Sequence, residues 1–337
     1  MKKHSNIPIF IPHVGCPNAC VFCNQRKISG HLRFEKHGVR RELETAFSTV
    51  DSTRKTQIAY FGGSFTGIGR EDMTELLSVA GEYIDRGLCE SVRISTRPDY
   101  IDRETLEILR KYRVESIELG IQSTDDAVLC ACKRGHTAED SFRAAALVKE
   151  YGFELVGQMM VGLPCATEES ERRTALDICR MGADGARIYP TVVFADTELA
   201  DMTANGSYQP LTEETSVLRA ANALAVFIEN GVPVIRLGLQ SGEALEASDG
   251  VIAGGYHPAV GELAYSRCFC DKLEAMLTGK DTEGKIAVVR AHVSDVSKVI
   301  GQKGANRKYL IQRFLLKELR VVSDGIAEKN HPTISII

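Results

Sequence analysis

Apolar residues along the first 240 positions recur in two alternating rhythms. Short runs rich in β-branched residues, IPIFIP (7–12), TQIAYFG (56–62), SVRIST (91–96), ESIELGIQ (115–122), ELVGQMMVGLP (154–164) and GARIYPTVV (185–193), have the pattern of strands. Between them, REDMTELLSVAGEYIDRG, DRETLEILRKYRV, AEDSFRAAALVKEYG and ESERRTALDICRMG place apolar residues three and four apart, the helical spacing. Strand, helix, strand repeated six times predicts right-handed crossovers and a parallel sheet, curled into a full or partial barrel. In such a sheet the chemistry gathers in the loops at the carboxyl ends of the strands.

The pattern then changes. A further helix, ETSVLRAANALAVFIENG, and a strand, VPVIRLGLQ, lead into the glycine-rich SGEALEASDGVIAGGYHPAVGEL, which reads as a long functional loop and a boundary. The final stretch reads as strand KIAVVRAHV, helix SDVSKVIG, turn GQKG, helix ANRKYLIQRFLLKEL and strands RVVSDG and TISII. Three units are expected: a barrel over 1–245, an extension over 246–280 and a small βααβ module over 281–337.

Composition, at 44% hydrophobic and 26% charged, is that of a soluble globular protein. MKKHSNIPIFIPHV is too short and proline-broken for a leader, and no run approaches the roughly 18 apolar residues of a membrane span. A cytoplasmic location is expected, where the ten cysteines are thiols or metal ligands rather than disulfides. The net charge of −4 hides an asymmetry: from Lys280 onward 11 Lys/Arg face 6 Asp/Glu, against 30 and 39 before it. A basic module on an acidic body suggests that any nucleic acid is gripped by the tail.

Candidate chemistry concentrates in HVGCPNACVFCNQRKISG (13–30), just after the first strand. Gly15 and Pro17 open a loop in which Cys16, Cys20 and Cys23 converge in a C-x3-C-x2-C arrangement. Soft thiolates favour zinc or an iron-sulfur cluster. Zinc would normally want a second cysteine pair or suitably spaced histidines, and none stands nearby except the flanking His13 and His31. In a 4Fe-4S cluster, three protein thiolates leave one iron open for an outside ligand. The pairs Cys130/Cys132 and Cys268/Cys270 sit in helix-like patterns and read as packing residues, as do Cys89, Cys165 and Cys179. His257 and Glu262 in GYHPAVGEL read as a turn and a helix start, with a proton-handling pair as the alternative.

The cysteine spacing resembles that of the radical S-adenosylmethionine (radical SAM) superfamily. FGGSFTG (61–67), STRPDYID (95–102), ELGIQS (118–123), KRGHT (133–137), GQMMVGLP (157–164) and RIYPTVV (187–193) follow at strand ends. With the later GGYHPAVGELAYSRCFCDKL, they resemble the radical SAM domain of the elongator protein 3 family over about residues 5 to 275. A more distant likeness is to oxygen-independent coproporphyrinogen III dehydrogenase. The resemblance implies a partial (β/α)6 TIM-like radical SAM barrel with a small C-terminal α+β appendage. It also implies a 4Fe-4S cluster on Cys16, Cys20 and Cys23 that reductively cleaves S-adenosyl-L-methionine to a 5'-deoxyadenosyl radical, with flavodoxin or ferredoxin as reductant. Gly62, Gly63 and Ser64 would bind the methionine amino group. Gln122, Arg134 and Gln158 would contact ribose and methionine carboxylate, and Tyr189 would lie near the adenine. About 60 residues follow the shared region, too few for the family's acetyltransferase domain.

The tail's strand, helix, G-x-x-G, helix, strand order resembles a K-homology (KH) core. Gly301, Lys303, Gly304, Arg307 and Lys308, with Lys298, would hold a phosphate backbone at a helix N-terminus. The expected function is radical SAM chemistry in tRNA base modification. The alternative is a small metabolite or tetrapyrrole substrate with a structural tail.

Overall fold

The structure, a computed structural model, describes residues 4–17, 20–25, 34–50, 55–239 and 250–337. Its main sheet is built from β1 (His4–Ile11), β2 (Lys55–Gly62), β3 (Ser91–Thr96), β4 (Val114–Gln122), β5 (Glu154–Val161), β6 (Gly185–Pro190) and, after the short β7 (Val192–Phe194), β8 (Val234–Leu237). Neighbouring strands are parallel and follow chain order across the sheet, with β1 and β8 as its two edges. The barrel is therefore partial and open. The six expected strands are all present, and a seventh, within the VPVIRLGLQ run, joins them through Ala186 opposite Val234.

The crossover helices are α1 (Val39–Phe47), α2 (Arg70–Asp85), α3 (Arg103–Lys111), α4 (Asp126–Ala131), α5 (Ala138–Glu150), α6 (Glu168–Arg180), α7 (Glu198–Ala204) and α8 (Glu213–Glu229). Their starts are written locally: Asp102 caps α3 at Thr105 N, and Thr137 and Thr167 form reciprocal capping boxes on α5 and α6. Strand side chains alternate between faces. Ile58, Ile94, Ile117, Leu155 and Ile188 pack with Leu76, Leu106, Val148, Ile178 and Leu224 of the helices. Each such buried side chain contributes about 1.5–3 kcal/mol. Their strand neighbours Gln57, Arg93, Glu118, Gln158 and Arg187 face the other way, into a cavity of about 1210 Å³.

The run expected as one strand over 185–193 is broken. Thr191 sends both its N–H and its hydroxyl to Val161 O, which ends β6, and β7 turns away to pair antiparallel with β9 (Val251–Gly254). Most of the loop placed before β9, residues 240–249, lies outside the described residues, as does His31.

After α9 (Val260–Leu277), the C-terminal module runs β10 (Ile286–Ala291), α10 (Val296–Ile300), α11 (Ala305–Arg313), β11 (Glu318–Ser323) and β12 (Thr333–Ile336). Its sheet has the order β11-β10-β12, with β10 and β11 parallel and β12 antiparallel. Helix α11 stops short of the sequence pattern because Leu315 takes φ +50°. Ala264 of α9 packs into the barrel core, whereas Leu273 and Leu277 pack with Val289, Val299 and Leu310 of the module. One helix thus serves both cores. No helix among the described residues is long and apolar enough to cross a membrane.

Candidate functional site

The loop leaving β1 lies over the carboxyl ends of the strands and is held by backbone. Gly63 N–H donates to Ile11 O at 2.8 Å and Ser64 N–H to Val14 O at 3.0 Å, so the turn after β2 and the cysteine loop are stitched together. A Cβ on Gly63 would stand 1.9 Å from Val14 O, and one on Gly15 2.2 Å from Ser64 O. Only glycine permits this approach. His13, at φ +58°, exchanges hydrogen bonds with Gln25: its backbone N–H donates to Gln25 Oε1, and its Nε2 accepts from Gln25 N at 3.0 Å. Gln25 Nε2 also donates to Gly62 O at 2.6 Å. Farther along, Val21 N–H donates to Cys132 O, and Leu199 N–H donates to Val21 O.

This framework gathers the three thiols. Cys16 and Cys23 line the cavity, while Cys20 is buried and accepts from Arg134 Nη1 at 3.1 Å. Burial, then the neighbouring Cys20, pushes the Cys16 thiol up. Cys23 is pushed up to about 12 by burial, then by Cys20 and Cys16, with Arg134 opposing. Cys16 and Cys23 thus stand close enough to Cys20 for its charge to act on both, a set of soft donors whose chemistry suits a cationic, thiophilic occupant, although among the described residues no three metal-ligating side chains are placed to hold a metal ion as they stand.

The other expected residues fall into three groups. Gly62 and Gly63, Gln122, Arg134, Gln158 and Tyr189 all line the same cavity. Gln122 sits at φ +66°, past a register shift in β4 that aims it inward, and its Oε1 has no partner. Arg134 donates Nη2 to Gly120 O at 2.6 Å, and its buried Nε is also unpartnered. An unsatisfied buried polar atom costs about 1–3 kcal/mol, which a ligand can recover. Ser64 is off the wall: fully buried, its hydroxyl pairs with Thr96 Oγ1 at 2.8 Å. Gly301, Lys303, Gly304, Arg307 and Lys308 lie together on the module, where Lys303, Arg307 and Lys308 are exposed. Lys298 turns inward instead, bonded to Asp295 at 3.1 Å and lying over the Tyr265 ring.

Of the residues read as packing, Cys89, Cys132 and Cys270 are buried, Cys179 and Cys268 half-buried, and Cys130 and Cys165 exposed at helix and turn surfaces. His257 Nδ1 accepts from Ala259 N at 2.9 Å, a turn contact, and Glu262 is exposed in the first turn of α9.

Several residues on or under the cavity wall were missed. Arg97, buried, bonds Asp99 and donates to Arg134 O at 2.5 Å, holding the arginine turn in place. Deeper, Arg93 and Arg187 share Glu118 at 3.2 and 2.8 Å, and Arg187 donates to the Tyr189 hydroxyl at 3.1 Å. Removing one partner of such a buried pair costs about 3–5 kcal/mol. The signal was available: a charged residue inside each of SVRIST, SIELGIQ and GARIYP, alternating with apolar ones, marks a sheet with one polar face.

Residues 10–178 match the radical SAM superfamily and residues 183–268 the radical SAM C-terminal domain. The chain belongs to the radical SAM superfamily and is a radical SAM enzyme. Within it, the chain resembles the elongator protein 3 branch. It is 33% identical over 132 residues to the tRNA uridine(34) acetyltransferase of Methanocaldococcus jannaschii, covering 38% of this chain and 24% of that protein. It is 29% identical over 185 residues to Elongator complex protein 3 of Schizosaccharomyces pombe, covering 54% and 34%. The matched segments thus span about a quarter to a third of these curated relatives. In fold, it resembles the archaeal elongator protein 3 of Methanocaldococcus infernus, with a TM-score of 0.61 at 20% identity, covering 81% of this chain and 64% of that one.

Proposed function

We propose that this chain modifies an RNA base, in tRNA, with a 4Fe-4S cluster on Cys16, Cys20 and Cys23 and with S-adenosyl-L-methionine as cofactor. The observation that carries the reading is the joining of three neighbouring thiols to a cavity whose wall carries orphaned buried polar atoms, among them Gln122 Oε1 and Arg134 Nε. The donor set suits the cluster, and the orphaned amide and guanidinium suit the hydroxyl and carboxylate oxygens of the cofactor. Bound there, the pair would supply a reductively generated 5'-deoxyadenosyl radical, for which flavodoxin or ferredoxin would be the electron source.

The chain's own residues bind, orient and exclude water. The Arg134 guanidinium, donating to Cys20 Sγ at 3.1 Å, orients that side chain. Gly62 and Gly63 keep the wall bare of side chains, and Gln158 and Tyr189 offer a carboxamide and a ring edge farther along. The RNA half of the reading is supported by the relatives' tRNA names and by the module. There, the N-terminus of α11 starts at Gly304 with no capping side chain and no acid in its first turn. Lys303, Arg307 and Lys308 stand exposed beside it.

Anaerobically reconstituted protein is expected to hold about four iron and four sulfide and, with dithionite, to release 5'-deoxyadenosine from S-adenosyl-L-methionine. Cys20→Ala should abolish both. Release that survives this substitution overturns the cluster assignment. Mass spectrometry of tRNA nucleosides from cells lacking the gene should reveal one missing modification; an unchanged profile overturns the RNA assignment.

A further inference from the structure

The charges on the cavity wall are compensated unevenly. Lys55 is bonded to Glu115 at 2.8 Å, Arg93 to Glu118 and Glu154, and Arg187 to Glu118. Arg134, which donates to Cys20 Sγ and Gly120 O, has no carboxylate partner among the described residues. Two other wall cations share that condition among the described residues. Arg236 donates only to Gly238 O, at 3.3 Å, and Lys329 has no hydrogen-bond or ion-pair partner.

Their positions are not accidental to the fold. Arg236 is on β8, the open edge of the barrel, and lies opposite Arg187 in the β6–β8 register. Two arginines are therefore register neighbours, and the Glu118 that pairs with Arg187 is already shared with Arg93. Lys329 comes from the C-terminal module, in the connection between β11 and β12. The next residue, Asn330 at φ +65°, is tied down: its N–H donates to Asp295 Oδ2 at 2.7 Å, and its O accepts from Lys272 Nζ of α9 at 3.1 Å. Asp295 is itself buried and bonded to Lys298. The tether fixes Lys329 on the rim of a cavity otherwise built by the barrel. A residual positive charge in a cavity of an acidic body attracts and orients an anion.

We propose that Arg236 and Lys329, with Arg187 beside them, form a phosphate-binding subsite at the open edge of the barrel. It would hold a backbone phosphodiester of the substrate, and through it the C-terminal module would be one wall of the active-site cavity as well as a grip. This rests on the RNA reading above. A phosphate held at the rim would fix which nucleotide reaches the thiol end of the cavity, so the subsite sets register rather than chemistry.

The test uses the cluster-loaded protein and a fluorescein-labelled heptameric oligouridylate, with binding followed by anisotropy across a potassium chloride series. Arg236→Gln and Lys329→Gln, checked for iron content and melting temperature, should each weaken binding about tenfold and flatten the log–log salt slope by about 0.7, the value for one phosphate contact on a single strand. Arg236→Lys and Lys329→Arg should restore the slope. If both glutamine variants keep the wild-type slope while Lys303→Glu lowers it, the subsite is wrong and the RNA reading stands. If the wild type binds no oligouridylate but pyrophosphate binds in an Arg236-dependent manner, the anion subsite survives and the RNA occupant is wrong.

Discussion

Two glycine-bearing loops, one at each end of the chain, use the same residue for opposite purposes. In the turn after β2, glycine removes a side chain so that two backbones interlock: added Cβ atoms on Gly15, Gly63 and Gly67 would fall 1.9 to 2.3 Å from carbonyl oxygens of the facing loop. In the loop between α10 and α11, Gly304 at φ +76° has nothing within 4 Å of such a Cβ. There glycine bends the chain and leaves space. Of that pair, only Gly301 is crowded, against Asn306. The lesson concerns what a motif is for. The first loop is closed against its own protein and positions thiols; the second is open and presents a helix N-terminus flanked by lysines and arginine.

The largest effect that could break this contrast is at Gly63. A methyl there must displace the Val14 carbonyl, and with it the segment between β1 and Cys16, because interiors do not deform smoothly around an added group. Gly63→Ala is expected to fold but to load little or no iron after reconstitution, by colorimetric iron analysis. Full loading would mean that the two loops are not held together as the glycines imply.

A second test separates the closed end from the open one by pH. His136, buried behind the arginine turn, is pushed down to about 4 by burial, then by Arg134 and Arg97, with Asp99 opposing. The imidazole is neutral in the fold, and neither ring nitrogen has a hydrogen-bond partner. Unfolded, it titrates near 6.5. The unfolded chain therefore binds the proton first as pH falls, and the fold loses stability between about 6.5 and 4, by about 3 kcal/mol at the lower limit. His136→Leu should remove that part of the acid sensitivity in urea titrations at pH 7 and 4.5 while leaving stability at pH 7 nearly unchanged. An equal slope in both proteins would place the acid sensitivity elsewhere.

What was legible in the sequence follows from how local each signal is. The thiols lie within eight residues, and their spacing and order can be read without knowing the fold. The strands and helices of the barrel are written in apolar periodicity, and the caps at Asp102, Thr137 and Thr167 stand where the helices begin. Ser64 enters the candidate set through the resemblance of FGGSFTG to the family's motif after the second strand. Its burial depends on Thr96, 32 positions away. Lys329 could not be read at all: its place on the cavity wall depends on Asp295 and Lys272, which meet Asn330 across separations of 35 and 58 residues. Cys130, from its type and helix-like surroundings, and Cys165, from its type, read as packing residues, whereas both are exposed, on α4 and in the turn after β5.

The smallest expected effect lies in the open loop and sharpens the comparison most. Gly304→Ala meets no neighbour, so its cost is only that of placing a side chain in the left-handed region, about 1 kcal/mol. Thermal unfolding should show a drop of a few degrees in the module, with iron loading and 5'-deoxyadenosine release unchanged. The same substitution at Gly63 should reverse that profile, sparing the module and emptying the thiol site. If Gly304→Ala impairs iron loading as Gly63→Ala does, the two loops are coupled through α9, whose Ala264 and Leu273 sit in the two separate cores.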